Sequence, residues 1–348
     1  MEYRTYSDLQ HIEQMFPEWN RVLAASSCNR TFASLEWFLA SCRIRKGAIP
    51  YVIVGIRDAA WACIVPLVLD PGDGTATFPH CDNDYNDILT GNCSHKEVAE
   101  LLSHVMADES QCSRLLFSRL RPDSRCVDAL SFLQLNSGLK CKCREINTYP
   151  YIKLPSSFEE YLSTRSKAFR KNVRRVLRKI QADGLALREL LPSEFSPAEL
   201  PEVLISLALE RQKERSFLKK LETQEFVREV LPALFVKRDL RAFALWKEER
   251  IVGLDICMVR HNGLLTWNGG FTEQAGGWSP GTGLFAFGIQ QAIAMGMQEY
   301  EFAEGKERYK ESWANARYRV MEIEICSSPS RNRIAGAGAD RTPSIVSH

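Results

Sequence analysis

Residues 241–295 read RAFALWKEERIVGLDICMVRHNGLLTWNGGFTEQAGGWSPGTGLFAFGIQQAIAM, and this stretch decides the fold. Its apolar and β-branched runs predict three consecutive strands, RAFALWK, IVGLDICMV and LLTWN. Asn262-Gly263 predicts a tight hairpin between the last two, because type I′ turns need positive φ at both central positions. A glycine-rich loop and the helix TGLFAFGIQQAIAM follow. Beyond them we predict strand EYEFA, a short helix KERYKESW and strand RVMEIEIC.

The first half of the chain repeats this order of elements. Its strands are YVIVGIR, WACIVPLVL and TATFPH, followed by the polar loop CDNDYND, helix HKEVAELLSHVM, strand SRLLFSRL, helix DSRCVDALSFL and strand CREINTYPYIKL. Helices precede each meander, at 9–23 and 33–44 and again at 158–180 and 200–218. The repeat indicates a degenerate duplication, and two domains also suit a length of 348 residues. We predict domains at 1–150 and 151–326, and a mobile tail at 327–348 that has almost no large apolar residues.

Composition excludes several classes of protein. With 45 Lys+Arg against 43 Asp+Glu the net charge is +2, so no whole-molecule field attracts nucleic acid or membrane. The 11 cysteines are scattered without a C-x-x-C pair, which favours reduced thiols over a metal site. The N-terminus has no signal-peptide pattern, and the longest apolar run, 62–69, is too short to span a bilayer. We therefore expect a soluble, cytoplasmic protein without metal.

Trp278-Ser279-Pro280-Gly281-Thr282-Gly283-Leu284 is the sharpest motif in the sequence. A glycine-rich turn that opens a helix lets backbone N–H groups approach an anion, and the helix dipole adds positive potential. Ser279, Gly281, Thr282, Gly283 and Leu284 are therefore candidates for holding a pyrophosphate. The motif lacks the Gly-Lys-Ser/Thr of a P-loop, and a meander precedes it where a Rossmann fingerprint needs βαβ. The alternative is that Pro and Gly only end the loop and start the helix.

This element order and this motif resemble the GNAT superfamily of acyl-coenzyme A-dependent acyltransferases. Gly281 and Gly283 stand at the glycine positions of its Gln/Arg-x-x-Gly-x-Gly/Ala pyrophosphate loop, and Trp278 stands where Gln or Arg is usual. The resemblance implies an α/β (α+β) fold of two tandem GNAT-like domains, each a mixed, mostly antiparallel sheet flanked by helices. It also implies acyl-coenzyme A as co-substrate of residues 151–326.

A narrower resemblance covers nearly the whole ordered chain. The pieces that carry it are Ser279-Pro280-Gly281, Gly296, Phe302, Gly305, Tyr309-Lys310, Trp313, and Asp84-Tyr85 with Asp87. Together they look like the CelD-like acetyltransferases, double-GNAT proteins related to the Fem-type aminoacyl transferases. Glu301 stands where that family often has Asp, and Glu304 where Arg is common.

Acyl transfer from a thioester to an amine needs a polarised carbonyl, a base and an acid for the leaving thiolate. Asn268-Gly269-Gly270 end the third meander strand, where a frayed or bulged strand offers N–H groups to the carbonyl and the pantetheine arm. Tyr309, which shares a helix face with Trp313, is the candidate acid. The alternatives are ordinary loop glycines and a core aromatic pair.

Three carboxylates are candidate bases, and the sequence does not choose among them. Asp255 lies in an otherwise apolar strand, so it must be paired, solvated in a cleft or shifted in pKa. Glu301 and Glu304 flank the end of the strand before the short helix, where α/β sheets open onto ligands.

A second set of residues is predicted to bind the acceptor or an anionic group. Asp84 and Tyr85 lie in the polar loop of the first half, and Trp267, Lys310 and Trp313 lie near the expected cleft. Eight cations occupy positions 165–179 of a predicted amphipathic helix. They would bind tRNA, an acyl carrier protein or the anionic end of coenzyme A, or else form a solvated face. Arg170 and Arg174 resemble basic positions of the CelD-like family, which implies anion binding.

Together these features predict an N-acyltransferase that moves an acyl group, with acetyl expected, from acyl-coenzyme A to an amine of a small molecule or a sugar or amino-acid derivative. Direct attack in a ternary complex is expected, because no Cys stands beside a His as a nucleophile would. One alternative is a Fem-type aminoacyl-tRNA-dependent transferase. The other is a catalytically inactive binding protein of polysaccharide synthesis.

Overall fold

A computed structural model describes residues 1–27, 30–79, 85–107, 112–212, 216–305 and 307–327. Asp84 and the predicted tail beyond residue 327 lie outside these ranges. The strands are β1 (Glu2–Tyr6), β2 (Ile49–Arg57), β3 (Ala60–Asp70), β4 (Thr75–Thr77), β5 (Leu89–Thr90), β6 (Arg114–Leu120), β7 (Lys140–Lys153), β8 (Leu185–Leu190), β9 (Leu240–Lys247), β10 (Arg250–Val259), β11 (Gly263–Phe271), β12 (Glu299–Glu301) and β13 (Ala316–Cys326). The helices are α1 (Leu9–Glu13), α2 (Phe16–Ala25), α3 (Leu35–Ile44), α4 (His95–Val105), α5 (Arg125–Asn136), α6 (Phe158–Ser163), α7 (Lys167–Ala182), α8 (Leu200–Gln212), α9 (Leu221–Lys237), α10 (Pro280–Ala294) and α11 (Arg308–Trp313), with 3-10 turns at Phe217–Lys219 and Glu273–Trp278.

The strands form one sheet whose order shows the predicted duplication. From edge to edge the order is β1-β2-β3-β4-β6-β13-β7-β12-β11-β10-β9-β8, and β5 pairs with β3. Read from either edge, the sheet shows the same succession of strands, because β1, β2, β3, β4 and β6 of the first half occupy positions equivalent to those of β8, β9, β10, β11 and β12. Each half contains one parallel pair, β4 with β6 and β11 with β12, and the other described pairs are antiparallel. The predicted architecture of two tandem halves, each with mixed, mostly antiparallel strands, is confirmed.

The two halves exchange their last strands at the centre of the sheet. β7 follows the first half in sequence but pairs with β12 of the second, and β13 pairs with β6 of the first. β7 and β13 also pair with each other, from Ala316 opposite Tyr151 to Cys326 opposite Lys140. The predicted boundary after residue 150 lies inside β7, and the division of the chain there stays a prediction.

Helices cover both faces of the sheet. In β11 the side chain of Leu264 packs in the same core as α7 and α10, whereas Leu265 packs with α8 and α9. Because successive strand residues point to opposite faces, these are the two sides of the sheet, here called the α10 face and the α8 face. Trp37 of α3 packs in the α8-face core, so the first half contributes to the core of the second.

Three predicted helices differ from the observed ones, and three elements of the fold were not predicted. The helix expected at 158–180 is two helices, because Ser166 caps α7 by accepting a hydrogen bond from the backbone N–H of Phe169. The helix expected at 9–23 is also divided, with a proline in the first turn of α2. The helix expected at 200–218 is α8 followed by the turn at Phe217–Lys219. β1, β8 and α9 were not predicted, and Pro232 inside α9 weakens the helical pattern there.

The crossing of α8 over β11 depends on Gly270. A Cβ at this position would overlap the backbone of Leu207 and Ala208 in α8, so Gly270→Ala should lower the free energy of unfolding by about 1–3 kcal/mol. Gly276→Ala is the control, because a Cβ there has no neighbour within 4 Å, and its effect should stay within about 0.5 kcal/mol. Denaturant titration checks both, and equal stabilities of the two variants would contradict the close approach.

Candidate functional site

A cleft opens between β11 and β12. The two strands pair only from Gly263 opposite Glu299 to Leu265 opposite Glu301. β12 ends at Glu301, whereas β11 continues for six residues to Phe271 while pairing on its other side with β10. Within the described chain, the edge of β11 beyond Leu265 therefore faces no strand. We call this opening the β11–β12 cleft.

The start of α10 has free space where the motif glycines predicted an anion. Ser279 is the N-cap residue with φ of 54°, and among the described residues no side chain caps this helix. A Cβ on Gly281 would have nothing within 4 Å, whereas a Cβ on Gly283 would lie 2.5 Å from Ile180 Cδ1 of α7. Packing on α7 therefore explains Gly283, while the space above Gly281 remains open to a ligand.

The equivalent helix of the first half begins differently. At the start of α4 the Ser94 side chain accepts from the Glu97 backbone N–H, and the Glu97 carboxylate accepts from the Ser94 N–H. This capping box places the protein's own carboxylate at the helix start. Of the two equivalent helix starts, only that of α10 has no side-chain cap among the described residues. The N–H groups of Thr282 and Gly283 donate to the Ser279 carbonyl, and the open space lies above Gly281.

The loop before α10 is held by neighbouring elements. Trp278 Nε1 donates to Asp183 Oδ2 at 2.7 Å, and Lys179 Nζ donates to the Gly277 carbonyl at 2.8 Å. Lys247 Nζ lies 5.0 Å from the centre of the Trp278 ring. Trp278 thus replaces the usual Gln or Arg with a side chain that anchors the loop to the end of α7.

Arg170 and Arg174, predicted to bind an anionic group, both have protein partners. Arg170 donates to the carbonyls of Arg165 at 2.6 Å and of Ser163 at 3.2 Å, which closes the turn between α6 and α7. Arg174 pairs with Glu159 at 2.6 Å. Binding of an anion by these two residues stays a prediction.

Asp255 is buried on the α10 face at the closed end of the cleft, with only 5% of its surface exposed. Thr266 Oγ1 donates to its Oδ1 at 2.6 Å, and Tyr300 Oη and Cys257 Sγ each lie 3.4 Å from its Oδ2. Burial raises the pKa of Asp255 to about 6, although these hydrogen bonds act to lower it. A carboxyl that titrates near neutral pH is suited to accept a proton during catalysis.

Glu301 lies on the opposite, α8 face of the same strand region and is only 1% exposed. Its carboxylate accepts from Arg121 at 3.0 Å and from Tyr318 at 2.6 Å, and it also contacts Arg260 and Tyr85. A carboxylate has about four acceptor positions, so these four groups occupy them. Glu301 therefore links the halves, since Arg121 and Tyr85 come from the first, and has no position left for an incoming amine.

The loop that follows β12 is rigidly held. Glu304 accepts from Asn147 Nδ2 at 2.6 Å and from Tyr149 Oη at 3.4 Å, and it pairs with Arg119 at 3.1 Å. The buried Lys310 ammonium donates to the Glu304 carbonyl. Glu304 thus connects the two halves on the α8 side. Lys310 holds the loop in place through its hydrogen bond to the Glu304 carbonyl.

The aromatic candidates have different environments. Tyr309 is 43% exposed and stacks on Phe285 of α10 with ring centres 5.5 Å apart. Burial, and then the charges of Glu307 and Asp255, raise the pKa of Tyr309, so it carries a proton that it can donate. Trp313 is buried against Phe169, as a core aromatic would be. Trp267 is also buried, between Trp37 and Phe217.

Asn268, Gly269 and Gly270 remain in the strand. They pair with Ile256, Asp255 and Leu254 of β10, and the bulge lies at Trp267. A Cβ on Gly269 would overlap the Leu254 carbonyl, so close packing accounts for both glycines. The other edge of β11 at these residues faces the β11–β12 cleft.

The Asp84-Tyr85 and Asp87 motif is only partly described. Asp84 lies outside the described residues, and Tyr85 joins the Glu301 cluster. Asp87 accepts from Ser124 Oγ at 2.8 Å and from the Ile88 N–H at 2.9 Å, at the start of α5. Burial raises the pKa of Asp87 to about 7.

Sequence analysis missed Arg121, Arg260, Tyr300 and Tyr318. The strand EYEFA did contain one signal, because alternation places Glu299 and Glu301 on one face and Tyr300 on the other. A buried Glu301 and a half-buried Glu299 on one face require cations, and Arg260 and Arg121 lie 3.1 and 3.3 Å from Glu299.

Known proteins resemble this chain in part of its sequence and in its fold. Residues 167–311 match the acetyltransferase (GNAT) domain family. The fold is similar to a solved structure of FemX, with a TM-score of 0.64 and 11% identity over 94% of this chain and 98% of that one. It is also similar to L-PGS from Bacillus licheniformis, with a TM-score of 0.58 and 10% identity over 90% of this chain and 91% of that one. No curated protein sequence matches the chain.

Residues 167–311 are therefore a GNAT acetyltransferase domain, and the protein is a transferase of the GNAT fold, as the sequence resemblance predicted. Within the ranges that the structure covers, no helix is long and apolar enough to cross a membrane. In the same ranges, no three His, Cys, Asp or Glu side chains are grouped to hold a metal ion.

Burial of Asp255 has a consequence for stability. Because its pKa is about 6 in the folded protein and about 4 in an unfolded chain, the folded state binds the proton more tightly. As the pH rises from about 4 to about 6, the free energy of unfolding of wild type should therefore fall, relative to that of Asp255→Asn, by about 1.4 kcal/mol for each pH unit. Above pH 6 the difference between the two proteins should stay constant. Denaturant titrations across this range check the difference. The exposed control Asp70→Asn should follow wild type, and parallel curves for Asp255→Asn and wild type would contradict the shifted pKa.

Proposed function

We propose that the protein is an N-acyltransferase that moves an acyl group, with acetyl expected, from acyl-coenzyme A to an amine. The acceptor would be a small molecule or a sugar or amino-acid derivative. The match of residues 167–311 to the GNAT family supports the class of reaction. The single observation that carries the donor assignment is the uncapped start of α10, with open space above Gly281.

In this proposal the donor lies along the cleft. Its pyrophosphate accepts hydrogen bonds at the start of α10, from the segment Ser279–Leu284, where the helix dipole favours negative charge. Its pantetheine arm follows the free edge of β11 at Asn268, Gly269 and Gly270. Backbone N–H groups of that edge polarise the thioester carbonyl, which stabilises the oxyanion of the tetrahedral intermediate.

Two side chains on the α10 face move the protons. Asp255 accepts a proton from the amine, whose nitrogen forms the new C–N bond as the C–S bond breaks. Tyr309 donates its proton to the leaving thiolate, and its raised pKa keeps that proton in place beforehand. Glu301 is left out of these steps, because four groups already occupy its carboxylate.

The remaining predicted residues have supporting roles in the proposal. Glu304, Tyr85 and Trp267 lie on the α8 side, where the acceptor would approach, and the Trp313 ring packs against Phe285, on which Tyr309 also stacks. Lys310 holds the loop after β12 in place. Arg170 and Arg174 would bind the anionic end of the donor by exchanging their present partners.

A Fem-type aminoacyl-tRNA-dependent transferase is the second candidate. The similarity to FemX over 94% of the chain and the run of cations in α7 favour it. The inactive binding protein is a weaker candidate, because it has no use for an uncapped α10. Acetyl-coenzyme A and tRNA, added separately to thermal melts, distinguish the three.

A charge at the start of α10 tests the donor site. Gly281→Glu should abolish thermal stabilisation by coenzyme A, because its carboxylate would occupy the space meant for the pyrophosphate. Leu135→Glu, on an exposed position of α5 in the other half, adds the same charge elsewhere and should leave the stabilisation intact. Unchanged stabilisation of Gly281→Glu would remove the pyrophosphate assignment.

The nature of the donor is tested on the wild-type protein. Acetyl-coenzyme A at 100 times its dissociation constant should stabilise the folded state by about 2.7 kcal/mol, visible as a higher melting temperature. Intact tRNA should produce no more shift than tRNA digested with ribonuclease. A shift with intact tRNA alone would favour the aminoacyl-transfer candidate, and no shift with either would favour the inactive binding protein.

A further inference from the structure

Four exposed cations form a row along the outer side of α7. Their spacing of four, four and three residues places them on one face of the helix, and they are Lys167, Lys171, Arg175 and Arg178. Among the described residues, no carboxylate lies within ion-pair distance of any of the four. Arg175 and Arg178 bond only neutral groups of their own helix, the Asn172 side chain and the Arg174 carbonyl. We call this row the cationic stripe.

The cationic stripe opposes the stability of its own helix. Residues 162–182 contain no Asp or Glu, so nothing within α7 offsets the positive charge. Lys171 lies one turn from both Lys167 and Arg175, and like charges at this spacing repel each other and weaken a helix. An anionic partner seated on the stripe removes this repulsion. The charge pattern therefore fits a docking surface for an acidic molecule.

The cationic stripe lies next to the proposed donor site. Lys179, one turn after Arg175, donates to the Gly277 carbonyl in the loop before α10. Ile180 of α7 packs against the start of α10, at the place where a Cβ on Gly283 would lie. A molecule bound along the stripe would therefore reach the open space above Gly281 without crossing the sheet.

The stripe fits an acidic protein helix better than a nucleic acid. Sites for single-stranded nucleic acid combine cations with exposed aromatic rings on which bases stack. The one aromatic residue of α7, Phe169, packs instead against Trp313, with ring centres 4.8 Å apart. The positive surface is also narrow, because α6, which precedes α7, exposes Glu159 and Glu160. A surface one helix wide matches the acidic side chains of one facing helix.

We propose that the cationic stripe docks an acidic carrier protein that presents its acyl group as a thioester on a phosphopantetheine arm. The proposal rests on the proposed function, because the arm would use the same site as coenzyme A. Its single phosphate would lie above Gly281, and its pantetheine chain would follow the β11–β12 cleft. The carrier protein would lie where the nucleotide end of coenzyme A otherwise extends.

The chemistry of transfer is unchanged by this donor. The amine nitrogen forms the new C–N bond with the acyl carbon and gives up its proton to Asp255. The C–S bond breaks, and the thiolate takes a proton from Tyr309. The thiol stays on the arm, so the carrier protein leaves deacylated.

A pair of charge reversals tests the docking surface. Lys171→Glu combined with Arg175→Glu reverses the centre of the stripe. Lys46→Glu combined with Lys140→Glu is the matched control, because both of these lysines are exposed and lie in the first half. The probe is a purified bacterial acyl carrier protein in its acetylated form, labelled with a fluorophore, and its binding is measured by anisotropy. Thermal melts with coenzyme A examine the donor site of each protein separately.

Wild type should bind the acetylated carrier protein, and added salt should weaken this binding. The stripe variant should raise its dissociation constant tenfold or more, whereas the control variant should match wild type. The dissociation constant of coenzyme A should stay within twofold in all three proteins. Excess coenzyme A should displace the acetylated carrier protein, because both need the space above Gly281.

Several results would overturn the inference. Equal binding of the carrier protein by wild type and the stripe variant would do so, as would no binding to a wild type that binds coenzyme A. Loss of coenzyme A binding in the stripe variant would assign the stripe to the nucleotide. Binding of intact tRNA that the stripe variant loses, without binding of the carrier protein, would assign it to nucleic acid.

Failure of wild type to bind coenzyme A is a different outcome, because it would reject the proposed function itself. Should the stripe variant not fold, Lys171→Gln combined with Arg175→Gln removes the same two charges without adding acids. Its dissociation constant for the carrier protein should rise at least threefold, and a value equal to that of wild type would contradict the docking surface.

Discussion

The exchange of β7 and β13 is the constraint on which the rest of the structure depends. β12 is three residues long, and it is held between Tyr151–Lys153 of β7 on one side and Gly263–Leu265 of β11 on the other. A strand supplied by the first half thus fixes one wall of the β11–β12 cleft. The Glu301 cluster adds a second link, since Arg121 reaches Glu299 and Glu301 from the first half. Burial lowers the pKa of Arg260 to about 9, and such a buried charge is tolerated only with its partners in place. The proposed catalytic half is therefore incomplete without the other.

The two halves share one fold but differ at the start of the equivalent helices α4 and α10. α4 and α10 occupy equivalent positions, but Ser94 and Glu97 close the first helix start, whereas Gly281 leaves the second open. The same difference appears beside the parallel strand pairs, because only β11 continues well past its partner, with an edge that is free in the described chain. The first half thus supplies strands, cations and tyrosines to the cleft, and the second half supplies the helix start and the side chains proposed for proton transfer. The net charge of +2 does not reveal the cationic face of α7, because acidic residues elsewhere in the chain balance it.

Many features of the fold could be predicted from sequence, because they depend on residues that are close together in the chain. Strand and helix order follow from periodicity, and the burial of Asp255 from its apolar strand. The hairpin between β10 and β11 does form at Asn262-Gly263, but neither residue has the positive φ that a type I′ turn needs, so the predicted turn type was wrong. The exchange of β7 and β13 could not be predicted, since it depends on pairing between residues more than 160 positions apart, which leaves no local pattern. For the same reason the sequence does not connect Arg121 with Glu301, and it makes Glu301 a candidate base although four partners occupy its carboxylate. The role of each glycine could not be predicted from sequence either. Close packing explains Gly270 and Gly283, whereas Gly281 has open space above it, and only the neighbours in the fold show this difference.

The central claim is that the donor binds in the second half, along the cleft that the exchanged strand holds open. A crystal structure of the full chain soaked with coenzyme A tests it most directly. The account predicts the pyrophosphate at the amides that open α10, above Gly281, with the thiol in the β11–β12 cleft within reach of Tyr309. Coenzyme A bound at α4, on the face of α7 away from the cleft, or nowhere on the molecule would contradict it.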